Sequence, residues 1–115
     1  MTGKVVTLPF MAHFIEEEVA QAQRGLLPES MDEKWIGFWS EDAVSFYRSW
    51  TGQQVYRLPV IPHGTGFNVG PLEVVDDASI YRRSSDSMDQ EIAGRLLSKL
   101  TGRAEPNQQP QQQRP

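Results

Sequence analysis

Between residues 34 and 75 the sequence is dominated by aromatic and β-branched residues, which fall into four short segments. Segments of this kind, separated by turn-forming residues, are typical of an antiparallel meander. The expected strands are Lys34–Ser40, Ala43–Trp50, Gln53–Ile61 and Phe67–Val75, with tight turns at Glu41-Asp42 and Thr51-Gly52. This run constrains the fold most, because a sheet must bury at least one of its faces against another layer.

Amphipathic helices are predicted on both sides of the strands. From Phe10 to Arg24 apolar residues recur every three or four positions, and Gly25 would end that helix. A second helix is expected to begin near Asp86, with apolar residues on one face, and to end at Gly102. We therefore predict an α+β fold: a three- or four-stranded antiparallel meander flanked by an N-terminal and a C-terminal helix on one face.

The length of 115 residues allows one domain with one modest core. We assign residues 1–102 to a single α+β domain and residues 103–115, rich in Pro and Gln, to a disordered tail. The opening apolar run is broken by Pro9 and is too short for a secretory signal, and no segment approaches the roughly 20 apolar residues of a membrane span. The sequence thus predicts a cytoplasmic protein with no membrane role.

Composition and charge exclude several classes of site. The absence of cysteine excludes disulfides, thiolate nucleophiles and cysteine-based metal centres. His13 and His63 lack the spacing of a helical metal motif, so we expect no metal and no cofactor. Eleven basic residues against fifteen acidic ones give a formal charge of -4, which disfavours nucleic acid as a partner.

The two expected turns fix a register and sort the side chains onto two faces. Trp35 would lie opposite Arg48, and Phe46 opposite Arg57. The core face, under both helices, would contain Ile36, Phe38, Tyr47, Tyr56, Leu58 and Val60. The other face, here called the aromatic–arginine face, would contain Trp35, Trp39, Val44, Phe46, Arg48, Trp50, Val55 and Arg57, with a gap at Gly37. A slip of one residue in either hairpin would exchange the faces.

Two uses of the aromatic–arginine face stay open. In the leading hypothesis Arg48 stacks on Trp35, and the face lets a small noncatalytic accessory protein bind a second copy of itself or a protein partner. In the alternative, Trp35 or Trp50 stacks a base while Arg48 and Arg57 hold a phosphate or carboxylate, because guanidinium is planar, permanently charged and bidentate. The protein would then be a binding protein or a small enzyme for a nucleotide-like compound.

Further polar residues are candidates for an enzyme, although no nucleophile and base stand at a fixed spacing. In an enzyme acting on a nucleotide-like compound, His63 or Asp77 would transfer a proton to or from the substrate. His63 belongs to the glycine-rich segment Pro62–Pro71, which lacks a phosphate-loop pattern and which we interpret as a long hairpin connection. Four carboxylates could converge on Mg²⁺, or could form turns and cap a helix. They are Asp76, Asp77, Asp86 and Asp89.

One stretch resembles a segment of small bacterial proteins that have no assigned activity. A tryptophan strand, Lys34-Trp35-Ile36-Gly37-Phe38-Trp39, precedes Phe46-Tyr47-Arg48-Ser49-Trp50-Thr51-Gly52-Gln53-Gln54-Val55-Tyr56, an aromatic-x-Arg-Ser-Trp-Thr-Gly strand and turn. Such segments sometimes accompany proteins that process ADP-ribose, such as macrodomain and ADP-ribosylglycohydrolase proteins. The resemblance implies a nucleotide-like ligand of the ADP-ribose or NAD type and assigns no catalytic residue.

Overall fold

The computed structural model describes residues 3–27 and 34–103. The described elements are β1 (Val5–Leu8), β2 (Ala12–Phe14), α1 (Glu16–Ala22), β3 (Trp35–Trp39), β4 (Ala43–Arg48), β5 (Gln54–His63), β6 (Gly66–Val69), β7 (Leu72–Val75) and α2 (Asp86–Thr101). The α+β class is confirmed, with antiparallel strand pairs and two helices. The expected three- or four-stranded meander is wrong, because seven strands form the sheet in the described residues.

The long strand β5 connects two parts of the sheet. Five strands lie in the order β1-β7-β5-β4-β3, and β6 and β2 lie off this path. The first part of β5 pairs with β4 and β7, whereas residues from Val60 to His63 pair with β6, which in turn pairs with β2. The N-terminal segment therefore contributes two strands that the local sequence pattern does not reveal.

The first helix is much shorter than expected. The prediction of a helix from Phe10 to Arg24 is wrong, since α1 covers only Glu16–Ala22. Residues Ala12–Phe14 instead pair with β6, where Phe14 lies opposite Phe67. The apolar spacing here fits both a helix and a strand, and the distant partner strand decides between them.

The second helix is confirmed in position, from Asp86 to the glycine that ends it. The side chain of Ser85 accepts a hydrogen bond from the backbone N–H of Met88 at 3.1 Å, and Gly102 adopts a left-handed conformation with φ of 76°. The apolar face of α2 buries Ala93, Leu97 and neighbouring residues against the sheet. Its signals are local, which is why they are readable from the sequence.

The segment from residue 62 to residue 75 is rearranged relative to the prediction. The expected strand Phe67–Val75 is two strands, β6 and β7, separated at Gly70-Pro71. At Gly70, where φ is 136°, a Cβ would collide with the carbonyl oxygen of Phe10. The expected long connection at Pro62–Pro71 is also wrong, because β5 and β6 are joined by the two-residue turn Gly64-Thr65.

A β-bulge changes the register of the second hairpin. The β3–β4 pairing is as predicted, with Trp35 opposite Arg48. The β4–β5 turn, however, is longer than Thr51-Gly52, and a register shift at Phe46/Tyr47 places Phe46 opposite Tyr56 instead of Arg57. Because the shift is one residue, each β5 side chain from Tyr56 onward lies on the face opposite to the one that the predicted register gives it relative to β4.

The predicted sorting of faces is therefore wrong for β3 and β4. The helices cover the face that carries Trp35, Trp39, Val44 and Phe46, and the bulge adds Tyr56, Leu58 and Val60 to that side. Ile36, Phe38 and Tyr47, which were expected in the core, lie on the opposite face, and Phe38 is 48% exposed. The expected gap at Gly37 is filled by the Phe46 ring.

Arg103 is the last described residue and is bound to the domain. Its guanidinium donates to both carboxylate oxygens of Glu18 at 2.7 and 2.8 Å and lies 4.2 Å from the Phe14 ring centroid. The rest of the predicted tail, residues 104–115, lies outside the described residues. In the described ranges no helix has the length and apolar character needed to cross a membrane.

Candidate anion-binding site

The structure does not bring the predicted site residues together on one surface. Trp39 is half-buried on the helix-covered face, while Trp50 lies in the β4–β5 loop and is 71% exposed. Arg57 lies on the opposite face of the sheet, where it pairs with Glu73 at 3.2 Å. Arg48 and Arg57 are thus on different sides of the sheet and cannot hold the same anion.

His63 lies at the exposed end of β5, away from these residues. Its ring is 5.9 Å from that of His13, although the two histidines are far apart in sequence. Nδ1 of His13 is 2.8 Å from Oδ1 of Asn68. Among residues 3–27 and 34–103, no three histidine, aspartate or glutamate side chains form a group that could hold a metal ion.

Trp35 and Arg48 remain together, and the predicted stacking of Arg48 on Trp35 is confirmed. The Arg48 Cζ atom lies 5.0 Å from the Trp35 ring centroid and 5.7 Å from that of Tyr81. The Trp35 ring also stacks on Tyr56, with centroids 5.3 Å apart and an angle of 19° between the planes. These contacts hold the guanidinium of Arg48 in a defined position at the end of the sheet.

A buried hydrogen-bond network positions Tyr81. The hydroxyl of Tyr56 donates to Oδ1 of Asp89 at 2.8 Å and lies 3.3 Å from the hydroxyl of Tyr81. Arg83 Nε donates to Oδ2 of the same carboxylate at 2.7 Å, and Asp89 is only 1% exposed. Burial raises the pKa of Tyr56 far above its usual range, so this hydroxyl stays a neutral donor.

The candidate metal-binding carboxylates have other partners. Arg83 binds Asp76 and Asp86 in addition to Asp89, and the hydrogen bond that it donates to Asp89 raises the pKa of this arginine. Asp77 accepts hydrogen bonds from the hydroxyl and the backbone N–H of Ser79, which lower its pKa. Three of the four carboxylates thus pair with Arg83, and Asp77 alone shapes a turn as predicted. The cap of α2 is Ser85 and not an aspartate.

A cavity of about 280 Å³ lies beside Arg48, and we call it the basic cavity. Its lining includes two aromatic rings and two apolar residues of α2, together with four basic side chains. The lining residues are Lys34, Trp35, Arg48, Tyr81, Ile92, Arg95, Leu96 and Lys99. This surface is locally cationic in a chain whose formal charge is -4.

The basic side chains of the cavity are only partly neutralised. Arg95 pairs with Glu91, one turn earlier on α2. In the part of the chain that the structure describes, Lys34, Arg48 and Lys99 have no acidic side chain within ion-pair distance. The donors of a half-buried arginine are therefore available to a ligand.

Sequence reasoning found only Trp35 and Arg48 among the lining residues of the basic cavity. Arg95 and Lys99 are four residues apart and share a helix face, a spacing visible in the sequence. It is the packing of α2 over β3 that brings this face to Trp35. The lining residues thus come from separate elements, and only the tertiary fold brings these elements together.

The basic cavity has the chemistry of an anion site. A guanidinium can donate two parallel hydrogen bonds to a phosphate or carboxylate, and the two lysines add mobile positive charges. Partial enclosure lowers the effective dielectric constant and strengthens these interactions. Comparison with protein-family models, with curated proteins and with solved structures finds no match to this chain.

Proposed function

We propose that this protein is a noncatalytic binding protein for a small phosphate-bearing compound of the nucleotide class, with the basic cavity as its site. The observation that carries this proposal is the half-buried Arg48, fixed against Trp35 and Tyr81 and without an acidic partner in the described residues. An arginine that is positioned but not neutralised is suited to receiving an anion from outside the chain.

The size of the cavity favours a mononucleotide over a dinucleotide. Its volume of about 280 Å³ lies just below the roughly 300–1,000 Å³ of common small-molecule sites. Trp35, Tyr81 and Arg48 all line the cavity and contact one another, so the ligand's ring would meet the surface that these three side chains form together. NAD and ADP-ribose would extend beyond the cavity into solvent.

A binding role agrees with the state of the candidate catalytic acids. Arg83 and Ser79 already engage the carboxylates near the cavity, and His63 lies elsewhere on the sheet. The carboxylates are therefore held by internal partners, and His63 is too far along β5 to act with them. We place the protein in the cytoplasm, where nucleotides are abundant.

Self-association is the second candidate function, through the sheet face that the helices leave uncovered. Ile36 and Tyr47 are cross-strand partners on this face, and the rings of Tyr47 and Phe38 are 6.0 Å apart. The exposed Phe38 extends this apolar patch toward solvent. Contiguous apolar surface on a sheet is typical of contacts between proteins.

The proposed function is tested by thermal shift, with the elution volume recorded on the same sample. The probes are AMP, inorganic phosphate, adenosine, ADP-ribose and NAD. At 100 times its Kd a ligand stabilises the folded state by roughly 2.7 kcal/mol, which raises the Tm of a domain this small by about 10 °C. We expect AMP to raise the Tm and adenosine, which lacks the anion, to leave it unchanged.

Two arginine variants provide a matched comparison. Arg48→Gln should fold and lose the response to AMP, whereas Arg57→Gln removes the same charge from the opposite face and should respond as wild type. The proposed site is refuted if none of the phosphate compounds raises the Tm, or if both variants lose the response equally. A dimeric elution volume without any ligand response favours self-association instead.

A further inference from the structure

A second cavity, of about 340 Å³, lies between the N-terminal segment and α2. Its floor is apolar and is formed by Phe10, Ala12, Phe14 and Leu97. We call it the apolar cavity. It adjoins the basic cavity along α2 and shares Arg95 with it, and the proposed function leaves its other lining residues unexplained.

Gly94 lies in the wall of the apolar cavity, in the middle of a 16-residue helix. Glycine destabilises a helix interior relative to alanine, so its presence there needs a reason. The backbone does not require it, because Gly94 is not among the glycines with positive φ. Packing does not require it either, since a Cβ at this position would meet no atom within 4 Å.

Gly37 and Gly66 also lack a positive φ, but at both positions the neighbouring atoms leave no room for a side chain. A Cβ on Gly37 would lie 2.6 Å from the Phe46 ring, and one on Gly66 would collide with the carbonyl oxygen of Phe14. Gly94 has no such neighbour within the described structure. Its effect is to leave the helix backbone open to the cavity, so that an occupant can approach more closely than any side chain would allow.

The rim of the apolar cavity carries two arginines with unused donors. Arg103 uses Nε and Nη2 on Glu18 and on the carbonyl of His13, and Arg95 uses Nη2 on Glu91. A guanidinium has five N–H donors, so each arginine retains the capacity to bind a further oxygen. Both arginines are paired with glutamates, and Glu91 itself lines the cavity. It is therefore the unused N–H donors above an apolar floor that complement a molecule with an apolar body and a head group of acceptor oxygens.

We propose that the apolar cavity binds a small amphipathic carboxylate, with its hydrocarbon part over Gly94 and its carboxylate at the rim arginines. Apolar surface supplies most of the affinity in such a site, and the charged hydrogen bonds fix the orientation. A medium-chain aliphatic acid has this chemistry. The inference stands separately from the proposed function, because it concerns another cavity and another class of ligand.

The experiment uses octanoate as the probe, with hexanoate and octanol for comparison, in isothermal titration calorimetry with the full chain. We expect saturable binding of octanoate, a loss of about fourfold for each methylene removed, and weaker binding of octanol. Gly94→Leu would fill the cavity and weaken the affinity for octanoate by at least about tenfold, while the Tm of this variant should be no lower than that of wild type. Arg48→Gln, which alters only the basic cavity, should bind octanoate normally.

Three results would overturn this proposal. The first is octanoate binding by Gly94→Leu at the wild-type affinity, which would place the ligand elsewhere. The second is octanol binding as tightly as octanoate, which would remove the role of the rim arginines. The third is conversion of a dimer to a monomer by Gly94→Leu, because the open helix surface would then be occupied by a second copy of the chain. Gly94→Ala, which adds only one methyl group, checks that any change comes from filling the cavity.

Discussion

Replacing the buried carboxylate beneath the basic cavity, by Asp89→Asn, should destabilise the domain severely. Asp89 is 1% exposed and accepts hydrogen bonds from the Tyr56 hydroxyl at 2.8 Å and from Arg83 Nε at 2.7 Å. The substitution preserves the shape of the side chain. It removes the charge that balances Arg83 and presents an amide that cannot accept at both positions.

The size of the effect follows from burial. Removing one partner of a buried ion pair costs about 3–5 kcal/mol, and hydrogen bonds to a charged group contribute about 1.5–3 kcal/mol each. Arg83 keeps Asp76 and Asp86, and the new side chain keeps one acceptor oxygen. We therefore expect a loss of about 3 kcal/mol in the free energy of unfolding, a large part of the 5–15 kcal/mol that is usual for a domain.

Asp86→Asn is the matched control. Asp86 binds the same arginine and lies in the same first turn of α2, so the helix dipole acts on both carboxylates. Its side chain is 68% exposed, and exposed pairs contribute about 0–1 kcal/mol. Urea unfolding followed by far-UV circular dichroism gives both values. Equal losses in the two variants would refute the argument that burial determines the cost.

Two further predictions concern stability. Gly37→Ala should lower the free energy of unfolding by about 1–3 kcal/mol in chemical denaturation, because the added Cβ would lie 2.6 and 2.8 Å from atoms of the Phe46 ring; an unchanged midpoint would show that this ring moves freely. The hydrogen bond from Arg103 lowers the pKa of Glu18 below its usual value of 4.5. The Glu18–Arg103 pair should therefore make its full contribution to the free energy of unfolding above pH 4.5, and this contribution should be lost as the pH falls through the lowered pKa of Glu18. Melting temperatures measured across this acidic range should decline less steeply for Glu18→Gln, and identical slopes would contradict the assignment.

Local signals in the sequence were sufficient for α2 and for the first hairpin. Ser85 and Gly102 cap α2 as their residue types predict, because capping involves only neighbouring backbone groups. The pairing of Trp35 with Arg48 follows from a short turn between two well-marked strands. The predicted cation–π contact between these two side chains came from this register, and the structure contains it.

The faces of the sheet were not predictable by the same reasoning. One residue inserted opposite the Phe46/Tyr47 step moves Tyr56 to the face that carries Phe46, and places Arg57 on the other. Turn residues in the sequence are compatible with either register. The observed one buries Tyr56, Leu58 and Val60 under the helices, and the helices belong to the assembled domain and not to the hairpin.

In the candidate site, too, some residues were predictable from local sequence and others are brought in by tertiary contacts. Trp35 and Arg48 could be singled out because they lie on adjacent strands of one hairpin. Tyr81, Arg95 and Lys99 join them only because α2 packs against β3 and because Arg83 fixes the preceding segment through Asp89. The sequence by itself thus determined the elements with local hydrogen bonds and caps. The tertiary structure decided which side of the sheet is buried and which basic residues meet, because these depend on contacts between residues far apart in the chain.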